Sequence, residues 1–472
     1  MNKISNIHFL GVKGVGMTPL AIIAKEAGFS VSGCDLGEEF ITDVLLKKVG
    51  IEPLIGFSEN HLKACDLLIT TGAHGGFENL EVIRAKSLGI PVWTQGEAVG
   101  KFMDGQLFKN SFEGISVAGS HGKTTTSAMI ATVLKENKQD PAFLIGTGNI
   151  PSLGSSGHFS KGKYFVAEAD EYATEPKYDH TPKFLWQHPQ IGVITNIEFD
   201  HPDLYSSMAQ LDKAFLDFAK NIKPEGALVA CIDDLETSKI IRQYLGKVIT
   251  YGFSESADFS LQRVSVAPEK TFFWVHAKNT QLGEFSLNIA GEQNALNALA
   301  AIVVCLELGL SLENIKKGLL AFKGTKRRSE FVGKIASGAL IYDDYAHHPT
   351  EIKSSLAAFK KMYPNKKIVC IFQPHTYSRT KSLFEQFTSS FGLANELILT
   401  DIFPSLREIA DNTVSSKILA DSVSKVQKNV LYIAKLEDVV KYLDQKSFND
   451  SYIIITMGAG DVYKIGKELI NE

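Results

Sequence analysis

Paired cysteines are missing from this chain. Its five cysteines (Cys34, Cys65, Cys231, Cys305 and Cys370) are scattered, odd in number and never spaced C-x-x-C. Such spacing indicates neither a disulfide framework nor a zinc site, and fits buried thiols in a reducing compartment. No stretch of eighteen apolar residues exists, so no transmembrane span is expected. The start, Met1 to Ser5, has no charged segment followed by a long apolar core, so no signal peptide is expected. Charge of one sign is also lacking: 49 lysines and arginines face 53 acidic residues, a net charge of −4. That balance gives no basic patch for nucleic acid. Internal repeats and low-complexity tracts are absent. Together these absences predict a cytoplasmic protein with no nucleic-acid and no membrane partner.

What remains is enough chain for about three ordinary domains, with 44% hydrophobic residues in 472. Apolar strands are expected at 7–12, 29–34 and 67–70, with a helix over 15–27 between the first two. The polar stretch from Asp104 to Glu113 reads as a linker. Further strands fit 115–118, 164–168, 191–195 and 227–231. An antiparallel excursion fits 258–290, and a helix with a small-residue face fits 291–309. A third unit begins near Lys323, with strands at about 339–343, 367–372, 395–400, 430–433 and 452–456. Strands alternating with helices predict parallel sheets with crossover helices. The expected fold class is α/β in three domains. These are a Rossmann-like domain over 1–106, a central P-loop domain over 107–322 and a Rossmann-like C-terminal domain over 323–472.

The strongest motif is Gly119-Ser120-His121-Gly122-Lys123-Thr124-Thr125, between a strand and a helix. Small glycines let backbone N–H groups close around phosphate oxygens, and the helix start adds its dipole. Lys123 can reach the β- and γ-phosphates, and the Thr124 hydroxyl can coordinate Mg²⁺. The motif is shorter than G-x-x-x-x-G-K-[ST], with Val117 where the first glycine would stand. Glu168-Ala169-Asp170-Glu171 ends an apolar strand, where Mg²⁺ ligands belong in an open α/β sheet. Thr195 to His201 follows another strand on the same edge, so His201 is a candidate for a metal or phosphoryl contact.

A second glycine loop, Gly11-Val12-Lys13-Gly14-Val15-Gly16, follows the first strand, and Asp35 ends the second. Its spacing, G-x-x-G-x-G, departs from the nicotinamide fingerprint. A UDP-sugar diphosphate needs the same helix start. Asp35 could bind ribose hydroxyls or sit in an exposed turn.

Nine segments in order carry a resemblance: GVKGVGM (11–17), GSHGKTTT (119–126), EADE (168–171), TNIEFDH (195–201), GEQNALNALAA (291–301), GTKRRSE (324–330), DDYAHHPTE (343–351), QPHTYSRT (373–380) and MGAGD (457–461). The chain resembles the Mur ligases, which add amino acids or peptides to UDP-N-acetylmuramic acid in peptidoglycan synthesis. The third-domain motifs look most like the members that add L-alanine. A related member attaches a whole murein tripeptide, and Tyr172 in EADEYATEP has some of its character.

The resemblance implies ATP and Mg²⁺ as cofactors and UDP-N-acetylmuramic acid and L-alanine as substrates, in a monomer or weak homodimer. Gly119, Ser120, His121, Gly122, Lys123, Thr124 and Thr125 would cradle ATP. Thr124, Glu168 and His201 would hold metal, with Glu171 as a neighbour. Asn294 would contact adenine, and Arg328 and Asp344 would grip phosphate and ribose. Gly11, Gly14, Gly16 and Asp35 would hold the UDP part. His347, His348 and Arg379 would line the amino-acid side, and His348 is one candidate to accept the amine's proton. Thr376 stands where many alanine-adding members carry arginine. Without the resemblance, Arg327 and Arg328 read equally as a solvated pair, and His347 and His348 as surface residues. Three other classes stay open. A nicotinamide dehydrogenase leaves the phosphate loop and the later motifs unexplained, a P-loop ATPase without ligase activity predicts hydrolysis that ignores UDP-sugar and amino acid, and a folylpolyglutamate-type ligase fits His121 and the first glycine loop poorly.

Overall fold

The computed structural model describes residues 4–278, 280–404, 408, 410–446 and 448–471. Three large α/β sheets are seen among these residues. The first has the strand order Leu54–Ile55, Ser30–Asp35, Asn6–Leu10, Leu67–Thr70, Val92–Thr94, with every pairing parallel. The middle strands read as near-continuous apolar runs because helices cover both faces. Leu67 to Thr70 is buried at every residue.

The second sheet has ten strands. At its centre Glu113–Ala118 lies between Ile191–Ile194 and Tyr164–Glu168, all parallel. Ala227–Cys231 and Lys247–Gly252 extend it in parallel on one side. Phe259–Ala267, Lys270–Ala277 and Thr280–Leu287 then follow as consecutive neighbours. Links of about two residues permit only antiparallel hairpins, which is the expected excursion. The third sheet has the order Glu330–Lys334, Leu340–Asp344, Tyr452–Met457, Lys367–Phe372, Glu396–Leu399, Val430–Tyr432. Its first strand, antiparallel to Leu340–Asp344, was not anticipated. The segment EFVGK lacks the apolar run used to find the others and lies at an edge.

The chain forms two compact units. One comprises Met1–Ser265, Phe272–Asn288 and Gln293–Thr325; the other comprises Val266–Thr271, Ile289–Glu292 and Lys326–Glu472. Within the first unit a single core joins Phe9, Leu20 and Phe102 to Leu144, Phe165 and Ala167. The stretch 104–113 is therefore not a solvated tether. Phe112 is buried and Phe108 packs on that core, its ring 5.0 Å from Phe102 and 4.9 Å from Phe159. The charged residues around these rings hid them in the sequence. The first helix starts at Thr18, three residues later than expected, because two turns intervene. Gly14 N donates to Gly11 O and Met17 N to Gly14 O.

Candidate functional site

Three parallel strands deliver the phosphate loop, the acidic segment and the His201 segment to one edge. In register, Ala118 pairs with Ile194 and Val117 with Glu168. Gly119 has φ +135°, and a Cβ there would lie 2.0 Å from Thr195 Oγ1. Gly122 has φ +83° and caps the helix Lys123–Glu136; its Cβ would lie 2.5 Å from Asn297 Oδ1. Only glycine fits either place. Asn297, on the small-residue helix Glu292–Glu307, thus backs the loop.

The segment Thr195 to Glu198 braces the loop from the other side. His121 N donates to Asn196 Oδ1 at 2.9 Å, Ser120 N to Asn196 O at 2.9 Å, and Glu198 N to Ser120 Oγ at 2.8 Å. His121 Nε2 is 3.1 Å from Glu198 Oε2. The loop is thus shaped by its neighbours: Ser120 and His121 donate their N–H groups to Asn196, and the start of the helix Lys123–Glu136 offers its dipole to an anion.

Lys123 lies at the first helical position, and its ammonium donates to Glu171 Oε2 at 2.8 Å. Burial pulls the Lys123 pKa down, but Glu171, Asp170 and Glu168 outweigh it and hold the group above its ordinary value. Glu171 also faces His201, whose Nε2 is 3.8 Å from Glu171 Oε1 and 3.8 Å from Asp200 Oδ2. His201 adopts φ +55° and packs its ring 4.8 Å from that of Tyr172. Glu168 accepts from Gly146 N at 2.8 Å. Asp170 pairs with Lys183 at 2.9 Å; burial opposes its charge, yet Lys183 and Lys123 hold its carboxyl well below the usual range. Thr124 and Thr125 are buried in the first turn. Lys123, Glu171 and His201 are brought into contact, and the charges of Asp170 and Glu168 act on Lys123. Sequence reasoning had ranked Glu171 only as a neighbour, although the EADE run contained it.

The first glycine loop is built differently. Gly11 has φ +77°, and a Cβ would lie 2.6 Å from Thr71 Cγ2. Its N–H and that of Val12 donate to Cys34 O. Asp35 is not an exposed turn residue: it is 1% exposed. Its oxygens accept from Lys13 N at 2.8 Å and Leu36 N at 2.8 Å, and His74 Nε2 lies 3.3 Å away. Asp35 therefore shapes the loop. His74, at φ +55°, was missed; the only signal was its place after the apolar strand Leu67–Thr70. Gly14 and Gly16 lie in the same turn, Gly16 against Gln95.

In the second unit the motifs gather at the ends of three adjacent parallel strands, Leu340–Asp344, Tyr452–Met457 and Lys367–Phe372. Arg327 and Arg328 are not a solvated pair. Arg327 is buried and donates to Asp343 Oδ2 at 2.9 Å, Gly458 O at 2.7 Å and Gly460 O at 3.0 Å. Arg328 is more open, 3.5 Å from Glu351 Oε1 and over the Tyr345 ring. Asp344 is buried and accepts from Ser329, Ser355 and Ala346 N. Burial pushes its carboxyl up, against the Ala346 N–H and Arg328. His348 is not a surface residue either. It is buried and caps the helix Pro349–Met362, its Nδ1 accepting from Thr350 N while Glu351 closes the capping box. His347 Nδ1 is 3.0 Å from Tyr345 O. Arg379 is buried, 3.1 Å from His375 Nδ1. Thr376 holds φ +67°, a strained value for a β-branched residue. Asn294 is half-buried in the first turn of its helix in the first unit.

Three family models match in succession along the chain: Mur ligase family, catalytic domain, over 6–106; Mur ligase middle domain over 117–305; and Mur ligase, glutamate ligase domain, over 327–460. The chain belongs to the Mur ligase family. This Mur ligase is 39% identical over 466 residues to the UDP-N-acetylmuramate–L-alanine ligase of Desulfitobacterium hafniense (strain Y51), covering 98% of this chain and 99% of the relative. The crystal structure of UDP-N-acetylmuramate–alanine ligase from Thermotoga maritima superposes with a TM-score of 0.82 at 27% identity, covering 99% and 98% of the two chains. A murein peptide ligase from Psychrobacter arcticus 273-4 shares the fold, with a TM-score of 0.72 at 24% identity over 99% and 98%. The α/β reading of the sequence holds, with three Mur ligase domains in succession. No helix among the described residues is long and apolar enough to cross a membrane.

Proposed function

We propose that this Mur ligase joins L-alanine to the carboxylate of UDP-N-acetylmuramic acid in peptidoglycan synthesis, using ATP and an acyl-phosphate intermediate. The observation that carries the reading is the 39% identity, end to end, with an L-alanine-adding relative. The phosphate-loop geometry supplies the chemistry.

A carboxylate is a poor electrophile, because oxide is its leaving group. Moving the γ-phosphoryl group of ATP onto it creates a good one. That transfer demands positioning and charge neutralisation more than covalent help. In this reading the segment 119–125 cradles the phosphates, chiefly through the helix start because Ser120 and His121 N–H are held by Asn196, and Lys123 leaves Glu171 to neutralise the moving phosphoryl group. Thr124, Glu168 and His201, with Glu171, would hold Mg²⁺. Their hydroxyl and carboxylate oxygens suit a hard cation, and the buried acidic pocket suits its charge. When bound, Mg²⁺ shields the phosphoryl oxygens. Asn294 takes adenine, and Arg328 and Asp344 take phosphate and ribose. Gly11, Gly14 and Gly16, shaped by Asp35, hold the diphosphate of the UDP sugar. His347, His348 and Arg379 serve the amino-acid side. The functional division follows 1–106, 107–322 and 323–472, in a monomer or weak homodimer acting in the cytoplasm.

Phosphate release from ATP and Mg²⁺ with UDP-N-acetylmuramic acid tests this, with L-alanine, glycine, L-serine and the murein tripeptide as acceptors. Release that requires the nucleotide sugar and is fastest with L-alanine is expected. Release with the tripeptide alone moves the chain to the tripeptide-adding members of the family. Release indifferent to the sugar overturns both.

A further inference from the structure

We propose that His8, Cys34, His61 and Glu81 form a binding site for one transition-metal ion, of zinc type, beneath the first glycine loop. None of these four residues belongs to the nucleotide or amino-acid machinery described above. They come from four elements: His8 from Asn6–Leu10, Cys34 from Ser30–Asp35, His61 from the short helix Glu59–Leu62, and Glu81 from the first turn of Leu80–Ser87. Because they are 20 to 73 positions apart, no local cysteine or histidine spacing announces them. That is why the scattered cysteines argued against zinc in the sequence.

One donor atom from each of the four lies within 4.8 Å of the others. His8 Nε2 is 3.1 Å from Glu81 Oε2, His61 Nδ1 is 2.8 Å from Glu81 Oε1, and Cys34 Sγ is 3.3 and 3.4 Å from the two oxygens. Zinc bonds of about 2.0–2.3 Å set tetrahedral edges of roughly 3.3–3.8 Å, so the shortest contacts to Glu81 need a small expansion and the widest separations, up to 4.8 Å, a contraction. Two imidazoles, a thiol and a carboxylate are a borderline-soft donor set, suited to zinc rather than magnesium.

The surroundings also suit an ion. His8 and Glu81 side chains are 1% and 0% exposed. Among the described residues Glu81 pairs with no lysine or arginine, only with the two histidines. A divalent ion with one thiolate, one carboxylate and two neutral imidazoles leaves a site of zero net charge, which burial requires. The outer contacts are those of a metal centre. Ser32 Oγ lies 2.8 Å from His8 Nδ1, fixing the ring, and Ser58 N donates to Glu81 Oε1 at 2.8 Å. The ion would pin the end of Ser30–Asp35. There Cys34 O accepts the N–H groups of Gly11 and Val12, and Asp35 shapes the loop.

The test is a zinc titration of the full chain, stripped with chelator and held in excess Mg²⁺ to fill hard-oxygen sites, against a chromophoric competitor. One ion per chain, bound tighter than about 1 µM, is expected. Cobalt in its place gives a thiolate-to-cobalt charge-transfer band, which Cys34→Ser removes and Cys65→Ser keeps. His61→Gln, at the least buried ligand, weakens zinc by about tenfold or more while preserving the circular dichroism of the fold. If Cys34→Ser does not fold, His61→Gln decides. Absence of such a site in the unmutated chain overturns the proposal and leaves a hydrogen-bonded cluster; so does a cobalt band that survives Cys34→Ser, or zinc affinity unchanged in His61→Gln.

Discussion

The two glycine loops start from the same physics and end differently. Each follows a buried parallel strand and leads into the positive end of a helix dipole. The loop at 119–122 passes directly into its helix, with Lys123 at the first position and Glu171, Asp170 and His201 around it. The loop at 11–17 makes two extra turns before Thr18, and its nearby carboxylate, Asp35, is committed to its own backbone. A site that moves a phosphoryl group needs mobile charge that can change partners. A site that only holds a diphosphate needs rigid backbone. Under the proposed function the two loops divide along that line.

The sharpest way to break this comparison is to remove the mobile charge. Lys123→Ala should lower sugar-dependent phosphate release on the order of 10³-fold in kcat, with KM for the nucleotide sugar little changed. A variant that raised only KM would mean that the second loop also merely holds. Gly11→Ala probes the opposite case. A Cβ at φ +77°, 2.6 Å from Thr71 Cγ2, costs roughly 1–2 kcal/mol of local strain. The expected result is a rise of about tenfold in KM for the nucleotide sugar, with kcat within about twofold. A fall in kcat as large as that of Lys123→Ala would erase the distinction.

The phosphate loop was legible in the sequence because its chemistry is contiguous: GKT and EADE each lie within one turn of chain. The parallel strands were legible for a similar reason, since burial on both faces leaves an unbroken apolar run. What the sequence hid depends on contacts between distant segments. That Glu171 bridges Lys123 and His201 shows only once the two are seen on either side of it. Arg327 looked like the equal of Arg328 until three partners, two of them carbonyls of the MGAGD loop, enclosed it. His348 serves as a helix cap, a backbone fact that residue type does not announce. Phe108 and Phe112 stood in a stretch that counted as polar, yet they sit on the core of the first unit.

The smallest effect concerns how the two loops are held together within that unit. Glu26 ends the helix Thr18–Glu26 behind the first loop; its carboxylate lies 2.8 Å from His158 Nδ1 and accepts from Phe159 N at 2.8 Å, at the far edge of the second sheet. The hydrogen bond to Glu26 raises the His158 pKa above its ordinary value; burial opposes it, and the Glu26 and Asp140 charges add to it. A histidine raised in the folded state stabilises most below its unfolded value of about 6.5, and the gain fades as pH rises through the folded value. The pair is more than a third exposed on the histidine side, so solvent screens it. His158→Gln should therefore lower Tm by about one degree near pH 6 and by nothing measurable above about pH 8.5. Scanning calorimetry across that range checks it. A gap that stayed constant with pH would assign the contact to packing against Phe143 rather than charge, and the first loop's helix would then be held to the second sheet by shape alone.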